Sequence, residues 1–256
     1  MTLIQRVRNL FRKGAGNDIK QPLSNTTLLL TITICIFVSM YLLAMIIWGG
    51  GFLNPQQFLD LFNNNAYLII IACGLTLVMI TGGIDISVGG TVALITMASV
   101  VCLEDLGGNI LIILLLSLGI GLVIGLVQGA LVAYLKIQPF IVTLAGMFFT
   151  RGMTTIVSKT PRTASDEAFL SLMNFRLVIP GVGSYGKTGN FIPARIELGV
   201  VIAIALVILI WAMLKWTRFG RNLYAVGGNS ESALMLGINV QKTKFFTYIL
   251  CGLLAG

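Results

Sequence analysis

The sequence predicts an all-α fold, a polytopic bundle of helices crossing a lipid bilayer, with six complete spans and the start of a seventh. Three observations predict it. Of the 256 residues 57% are hydrophobic and only 10% are charged, whereas roughly a quarter of an ordinary soluble domain is charged; so few charges could not cover a water-facing surface. The apolar residues are gathered into stretches close to the ~20 residues that cross the hydrocarbon core. The 17 Lys and Arg are gathered too: Arg6, Arg8, Arg12, Lys13 and Lys20 lie near the start, and Lys215, Arg218, Arg221, Lys242 and Lys244 lie together late in the chain. Cations flanking apolar spans mark cytoplasmic ends. That placement accounts for most of the net charge of +8. No stripe of Arg and aromatic residues accompanies it, so nucleic acid is not an expected partner.

Taken in order, the spans run roughly over 27–49, 66–81, 86–103, 109–135, 140–157 and 197–216, with a seventh beginning at Phe245. Each must be a helix, because in lipid every backbone N–H and C=O needs a partner within the protein. Residues 1–26 read as a basic cytoplasmic tail, and 27–256 as one transmembrane domain in which 217–244 is a cytoplasmic segment. Gly50–Asn65, with Asp60 and no cation, and the Glu104-Asp105 turn belong outside; Lys136 and 215–244 belong inside. The stretch from Lys159 to Arg195 dissents, with five cations on the outer side, but a long loop is a weaker topological signal than a short turn. The first helix reads as an uncleaved anchor, since its apolar run is long and no small-x-small cleavage site follows. From Phe245 onward 12 residues remain, too few to span, so the chain is expected to be incomplete at its C-terminal end.

Cys35, Cys73, Cys102 and Cys251 are dispersed through apolar runs with no CxxC pair, and there is no His. A Cys/His metal site is therefore excluded, no cofactor is expected, and the thiols read as small core residues.

The polar interruptions carry the functional signal. Thr81-Gly82-Gly83-Ile84-Asp85-Ile86-Ser87-Val88-Gly89-Gly90 places four glycines, a carboxylate and a hydroxyl between two apolar runs. Glycines permit a sharp turn and a close helix approach, and a carboxylate at membrane depth is a functional candidate. The plainer reading has Asp85 capping the N-terminus of the next helix; both readings stand together. Gly121, Gly125 and Gly129 recur every four residues, a small-residue face for helix packing, with Gln128 beside it. Arg151, inside an apolar run, reads as snorkelling toward the outer interface. Gly181 to Thr188 matches the phosphate-loop pattern G-x4-G-K-[ST] letter for letter. Pro180 before it and Gly189 and Pro193 after it deny the strand–loop–helix setting that such a loop needs, so the match reads as chance.

The segment 217–244 is the most telling. Ser230 reads as an N-cap, Ala233-Leu234-Met235-Leu236 as a short helix, and Gly237 as the residue that ends it. Such a helix either lies among lipid headgroups or inserts into a groove on a partner.

With these residues the chain resembles the permease subunits of bacterial ATP-binding-cassette importers for monosaccharides, the ribose, galactose and galactofuranose group. The resemblance rests on 82–89, on Lys136 to Leu144 with Arg151-Gly152, on Thr217 to Asn229, and on Gly237-Ile238-Asn239 leading to Cys251–Ala255, all in the family's order and spacing from residue 66 onward. It implies that the short helix docks on an ATPase subunit: Glu231, Ala233 and Gly237 fall on the family's E-x-A-x3-G coupling pattern, with Ser232 where alanine is usual, and Asn229, Ile238 and Asn239 flank it. It also implies a second permease subunit, identical or paralogous, an extracytoplasmic sugar-binding protein, and a place in the bacterial cytoplasmic (inner) membrane with the N-terminus inside. The family's last third is absent. On this reading the chain is no enzyme; it forms a sugar pathway for which Asp85, Ser87, Gln128 and Thr143 are the candidate residues, with Gly82, Gly83, Gly89, Gly121, Gly125 and Gly129 as structural glycines. A branched-chain amino acid permease and an ion-coupled secondary transporter are the rival expectations.

Overall fold

The computed structural model describes residues 25–48, 54–185 and 191–256, in two compact units, Met1–Asn54 and Pro55–Gly256. The first holds α1 (Asn25–Trp48), apolar on all sides, with Leu29, Met40 and Ile46 exposed. Its Thr31 and Thr33 hydroxyls donate to the carbonyls of Thr27 and Leu29 one turn back. The helix thereby hides its own polar groups, as a lipid-facing helix must. The basic tail lies outside the described residues.

The second unit is built mainly of helices: α2 (Pro55–Ile80), α3 (Val88–Glu104), α4 (Ile110–Ala133), α5 (Pro139–Val157), α6 (Glu167–Met173), α7 (Leu198–Trp216), α8 (Arg218–Gly228), α9 (Ser230–Met235) and α10 (Val240–Ala255). The starts follow from local chemistry. Proline opens α2 and α5, where its missing N–H costs nothing. Asn109 and Asp166 cap α4 and α6 through bonds from the Ile112 and Phe169 N–H groups. Between α6 and α7 an antiparallel hairpin, β1 (Arg176–Tyr185) and β2 (Phe191–Glu197), pairs Arg176 with Glu197 and Tyr185 with Phe191, with an irregularity between Ile179 and Gly183.

Three apolar clusters hold the unit. Val78, Val88, Val132, Val142, Tyr248 and Cys251 bring α2, α3, α4, α5 and α10 together. Ala66, Val200 and Ala203 join α2 to α7, with Ile196 of the hairpin against them. Leu77, Ile210 and Leu223 join α2, α7 and α8.

Among the described residues five helices are long and apolar enough to cross a membrane: α1, α2, α4, α5 and α7. The 17-residue α3 is apolar but shorter. The chain is a multi-pass membrane protein, predominantly helical, and the hairpin qualifies the all-α expectation.

Several boundaries need correction. Most of the loop expected over Gly50–Asn65 is helix, since α2 begins at Pro55. Its polar face made it look like a loop: Gln56 and Asn63, two turns apart, bind the backbone of β2 rather than water. The stretch expected as a plain loop from Lys159 to Arg195 holds α6 and the hairpin. The seventh helix starts at Val240, not Phe245, because Asn239 caps it by accepting from the Lys242 N–H at 2.9 Å. Segment 217–244, expected as a cytoplasmic coupling loop carrying one short helix, is α8, α9 and the first turn of α10.

Candidate functional site

The break between α2 and α3 is built on glycine. Gly82 has φ +77, a left-handed conformation that lets α2 end abruptly. At Gly83 an added Cβ would lie 2.7 Å from the Tyr248 hydroxyl oxygen, so only glycine admits that ring. The chain then runs without regular structure to Ser87, the N-cap of α3.

Asp85 does not cap α3 as the sequence suggested. Ser87 is the N-cap, and its side chain bonds no first-turn N–H. Asp85 Oδ1 instead accepts from both the N–H (2.9 Å) and the hydroxyl (2.6 Å) of Ser87. This is a two-residue Asx turn, so the carboxylate braces the cap residue from outside the helix. Its other oxygen, Oδ2, accepts from the Cys251 thiol at 3.6 Å.

The remaining two pathway candidates come to the same place. Gln128 Nε2 donates to Ser87 Oγ at 2.8 Å. The Thr143 hydroxyl lies 2.9 Å from the Pro139 carbonyl and 3.3 Å from the Ile84 carbonyl. Ser87, Gln128 and Thr143 are 1%, 4% and 0% exposed, and Asp85 is half-buried. Asp85, Ser87 and Gln128 thus form one bonded chain, the Thr143 hydroxyl reaches the same segment through the Ile84 carbonyl, and Ser87, Gln128 and Thr143 face protein rather than open space. Gly146 makes the room, since a Cβ there would overlap the Gln128 amide. Tyr248, 1% exposed, sets its hydroxyl beside Gly83 with no hydrogen-bond partner among the described residues.

The glycine face of α4 lies against α10. A Cβ at Gly121 would overlap the Gly252 carbonyl, one at Gly125 would lie 2.7 Å from the Tyr248 carbonyl, and one at Gly129 3.0 Å from that of Phe245. Bare backbone therefore meets backbone along three turns. Gly89 has open space around it. Arg151 is exposed on α5, away from the cluster.

At another end of the unit, Thr217 caps α8 by accepting from the Gly220 N–H at 3.1 Å. Gly227 sits so near the Ile80 carbonyl that a Cβ would overlap it, which docks α8 on the end of α2. The short helix α9 follows. Its cap is Asn229, which accepts from the Ser232 N–H at 2.8 Å, and not Ser230, whose hydroxyl turns back to the Val226 carbonyl. Asn229 is extended there (φ −158, ψ 111), as an N-cap requires. At the other end Gly237 is left-handed (φ +79); its N–H bonds the Leu234 carbonyl and the Ile238 N–H bonds that of Ala233, both at 3.0 Å. This paired closure is a Schellman motif. Ala233 is the buried anchor at 1% exposure, Glu231 is exposed, and Leu234, Met235 and Leu236 stand out at 65%, 88% and 78%.

The phosphate-loop match has no such setting. Its Gly181 to Tyr185 lie in β1, the next described element is β2, and Gly186, Lys187 and Thr188 lie outside the described residues. No group of three or more His, Cys, Asp or Glu able to hold a metal occurs among the described residues.

Sequence reasoning missed Cys251, Tyr248 and Gly146, none of which announces itself: the first two lie in an apolar helix and the third is an isolated glycine.

A family profile described as "Branched-chain amino acid transport system / permease component" matches residues 57–256. Among curated proteins the chain is 35% identical over 221 residues to the inner membrane ABC transporter permease protein YjfF of Escherichia coli strain K12, covering 86% of this chain and 63% of that one. It is 33% identical over 254 residues to the fructose import permease protein FruG of Bifidobacterium longum strain NCC 2705, covering 94% and 71%. It is 35% identical over 207 residues to the ribose import permease protein RbsC of Escherichia coli strain K12, covering 80% and 60%. The chain therefore spans between three-fifths and about seven-tenths of the length of these relatives. No solved structure matches it. Because the profile runs from the third residue of α2 to the end of α10, taking in the glycine break and the capped short helix alike, the chain belongs to the ABC-transporter permease family that this profile describes.

Proposed function

We propose that the chain is the transmembrane permease subunit of an ATP-binding-cassette importer and forms part of the pathway for a monosaccharide. One observation carries this reading. Inside the stretch matched to sugar permeases, a short helix is fixed at both ends by Asn229 and Gly237 while Leu234, Met235 and Leu236 project from it. Apolar side chains held out on a rigid support suit a partner's groove. The partner in this reading is an ATPase subunit, which performs the hydrolysis; the permease performs no chemistry. Glu231 and Asn239 flank the contact, with Ile238 and Ala233 holding the helix down. A second permease subunit and an extracytoplasmic sugar-binding protein complete the importer, and the basic tail supports an N-terminus in the cytoplasm.

In this reading the bonded cluster of Asp85, Ser87, Gln128 and Thr143 lies near the sugar's path. Gln128 sits five residues before the end of α4, about 7–8 Å along the helix axis. The cluster meets the sugar only when the helices part, because its groups are satisfied within the protein here.

The test is assembly and transport in membranes. The chain should co-purify with its ATPase and support ATP-dependent uptake of labelled ribose, galactose or fructose. Glu231→Ala and Gly237→Val should lower stimulated hydrolysis; unchanged assembly and hydrolysis in both would sink the coupling assignment. The description attached to the family profile favours one second reading, a branched-chain amino acid permease, which labelled leucine in the same vesicles would reveal. Uptake that persists without ATP on an ion gradient would point to an ion-coupled carrier.

A further inference from the structure

One surface is left unassigned by the permease reading. Between α9 and the turn joining α4 to α5 lies an open groove of about 710 Å³. Val132, Ile137, Pro139 and Leu234 give it an apolar lining, and Lys136 and Lys244 line it against a single acid, Glu231.

Lys136 is in an unusual backbone state. Its φ is +55, the one positive value at a non-glycine position among the described residues. L side chains are strained there, and glycine would not be. The conformation is held by the Ile137 N–H reaching back to the Leu131 carbonyl at 3.2 Å and the Leu135 N–H to that of Ala130 at 3.3 Å. A turn that glycine would make without strain thus carries a cation, exposed at the rim, where no hydrogen bond or ion pair holds it among the described residues. Strain of this kind gathers where a side chain is used.

We propose that the turn Lys136–Pro139 is the second wall of the ATPase docking surface, and that Lys136 and Lys244 receive an acidic, apolar-tipped segment of that subunit. The inference rests on the permease reading and adds to it. Two features argue for a protein over a lipid headgroup. The groove shares Glu231 and Leu234 with α9, so a partner seated on α9 already reaches it. Its cations also share the groove with apolar side chains, which suits an amphipathic segment better than a bare phosphate. Charge across such a rim chiefly steers encounter and fixes register.

The test uses the full chain co-expressed in membranes with its ATPase, with photoreactive benzoyl-phenylalanine placed at Gln138 in one sample and at Met235 in another. Both probes should cross-link the ATPase. Lys136→Glu should cut the Gln138 cross-link and stimulated hydrolysis tenfold or more, and Lys136→Arg should restore both. Lys136→Gly, which relaxes the turn and so keeps the fold, should still lose most of the stimulation. Capture at Met235 with none at Gln138, or capture of phospholipid only at Gln138, overturns the second wall and leaves the permease reading intact. Full stimulation in both Lys136→Glu and Lys136→Gly overturns it as well. No capture at either position sinks the permease reading together with this inference.

Discussion

Gln128 donates its side-chain amide to the Ser87 hydroxyl at 2.8 Å, tying the C-terminal part of α4 to the N-cap residue of α3. Ser87 is the middle member of a relay: it accepts from Gln128 and donates to Asp85. The two ends are therefore unequal to the centre. Taking away an end leaves the Ser87 hydroxyl with one side-chain partner, while taking away the centre strands the Gln128 amide; Asp85 keeps the Ser87 N–H and the Cys251 thiol.

That asymmetry sets an order of stability. Ser87→Ala should destabilise the folded protein by about 1–3 kcal/mol, because the buried Gln128 amide is left without its acceptor. Gln128→Leu, similar in shape and leaving Ser87 bonded to Asp85, should cost about 1 kcal/mol. Thermal or denaturant unfolding in detergent reads both; equal losses would show that the bonds do not form a relay.

The glycines of α4 make a second ordered set. Gly121→Ala drives a methyl into the Gly252 carbonyl and Gly125→Ala into that of Tyr248, both backbone atoms that cannot swing aside. Each should cost about 1–3 kcal/mol, as overpacking does. Gly119, on the same helix, has nothing within 4 Å of an added Cβ, so Gly119→Ala should be neutral or stabilise by about 0.5–1 kcal/mol through helix propensity. Unfolding of the three variants side by side checks the pattern.

These cases show where reading the sequence stops. The four-residue spacing of Gly121, Gly125 and Gly129 exposes a packing face, because spacing is all that a helix face needs. The partner stayed hidden, because what meets those glycines is the backbone of Gly252, Tyr248 and Phe245, and backbone has no signature. Asp85 stands out as a charge among apolar residues, but its thiol partner Cys251 is 166 positions away and looks like any core cysteine. Asn229 and Ser230 are both capping residue types, so only the extended backbone of Asn229 decides between them. The hairpin was missed because Pro180 and Gly181 interrupt the alternation that marks a strand. The extended start of α2 was missed because Gln56, Asp60 and Asn63 are polar for the hairpin's sake.

That last group supports a third prediction. Gln56 accepts from the Arg195 N–H at 2.7 Å, and Asn63 accepts from the Glu197 N–H at 3.0 Å. Asp60 steadies both amides, accepting from Gln56 at 2.7 Å and from Asn63 at 3.2 Å. The side chains thus close the free edge of β2, which would otherwise offer unpaired backbone groups. Gln56→Ala with Asn63→Ala should free the hairpin at a cost of about 1 kcal/mol per lost bond, with α2 itself intact. Hydrogen exchange should rise over 191–197 and stay unchanged over 66–80; a rise in both would mean that the whole helix depends on the clamp.

The C-terminal end of α3 carries a pH-dependent tie. The Glu104 carboxylate accepts from the Ser165 N–H at 2.6 Å and from its hydroxyl at 2.7 Å. These bonds favour the charged form and hold its pKa below the ordinary 4.5. A group whose folded value is depressed adds stability above its unfolded value and loses it as pH falls through the folded one. The bond from Glu104 to the segment before α6 should therefore be constant from neutral pH down to about pH 5 and fail progressively below the ordinary glutamate range. Salt bridging between Arg162 and Asp105 at 3.1 Å lies beside it, on exposed side chains, and should contribute little. Glu104→Gln keeps an acceptor for Ser165 but has no charge to titrate. Hydrogen exchange at Ser165, corrected for the intrinsic rate at each pH, should show an acid-side loss of protection in the parent that Glu104→Gln abolishes. The same acid-side loss in Glu104→Gln would assign the transition to another group.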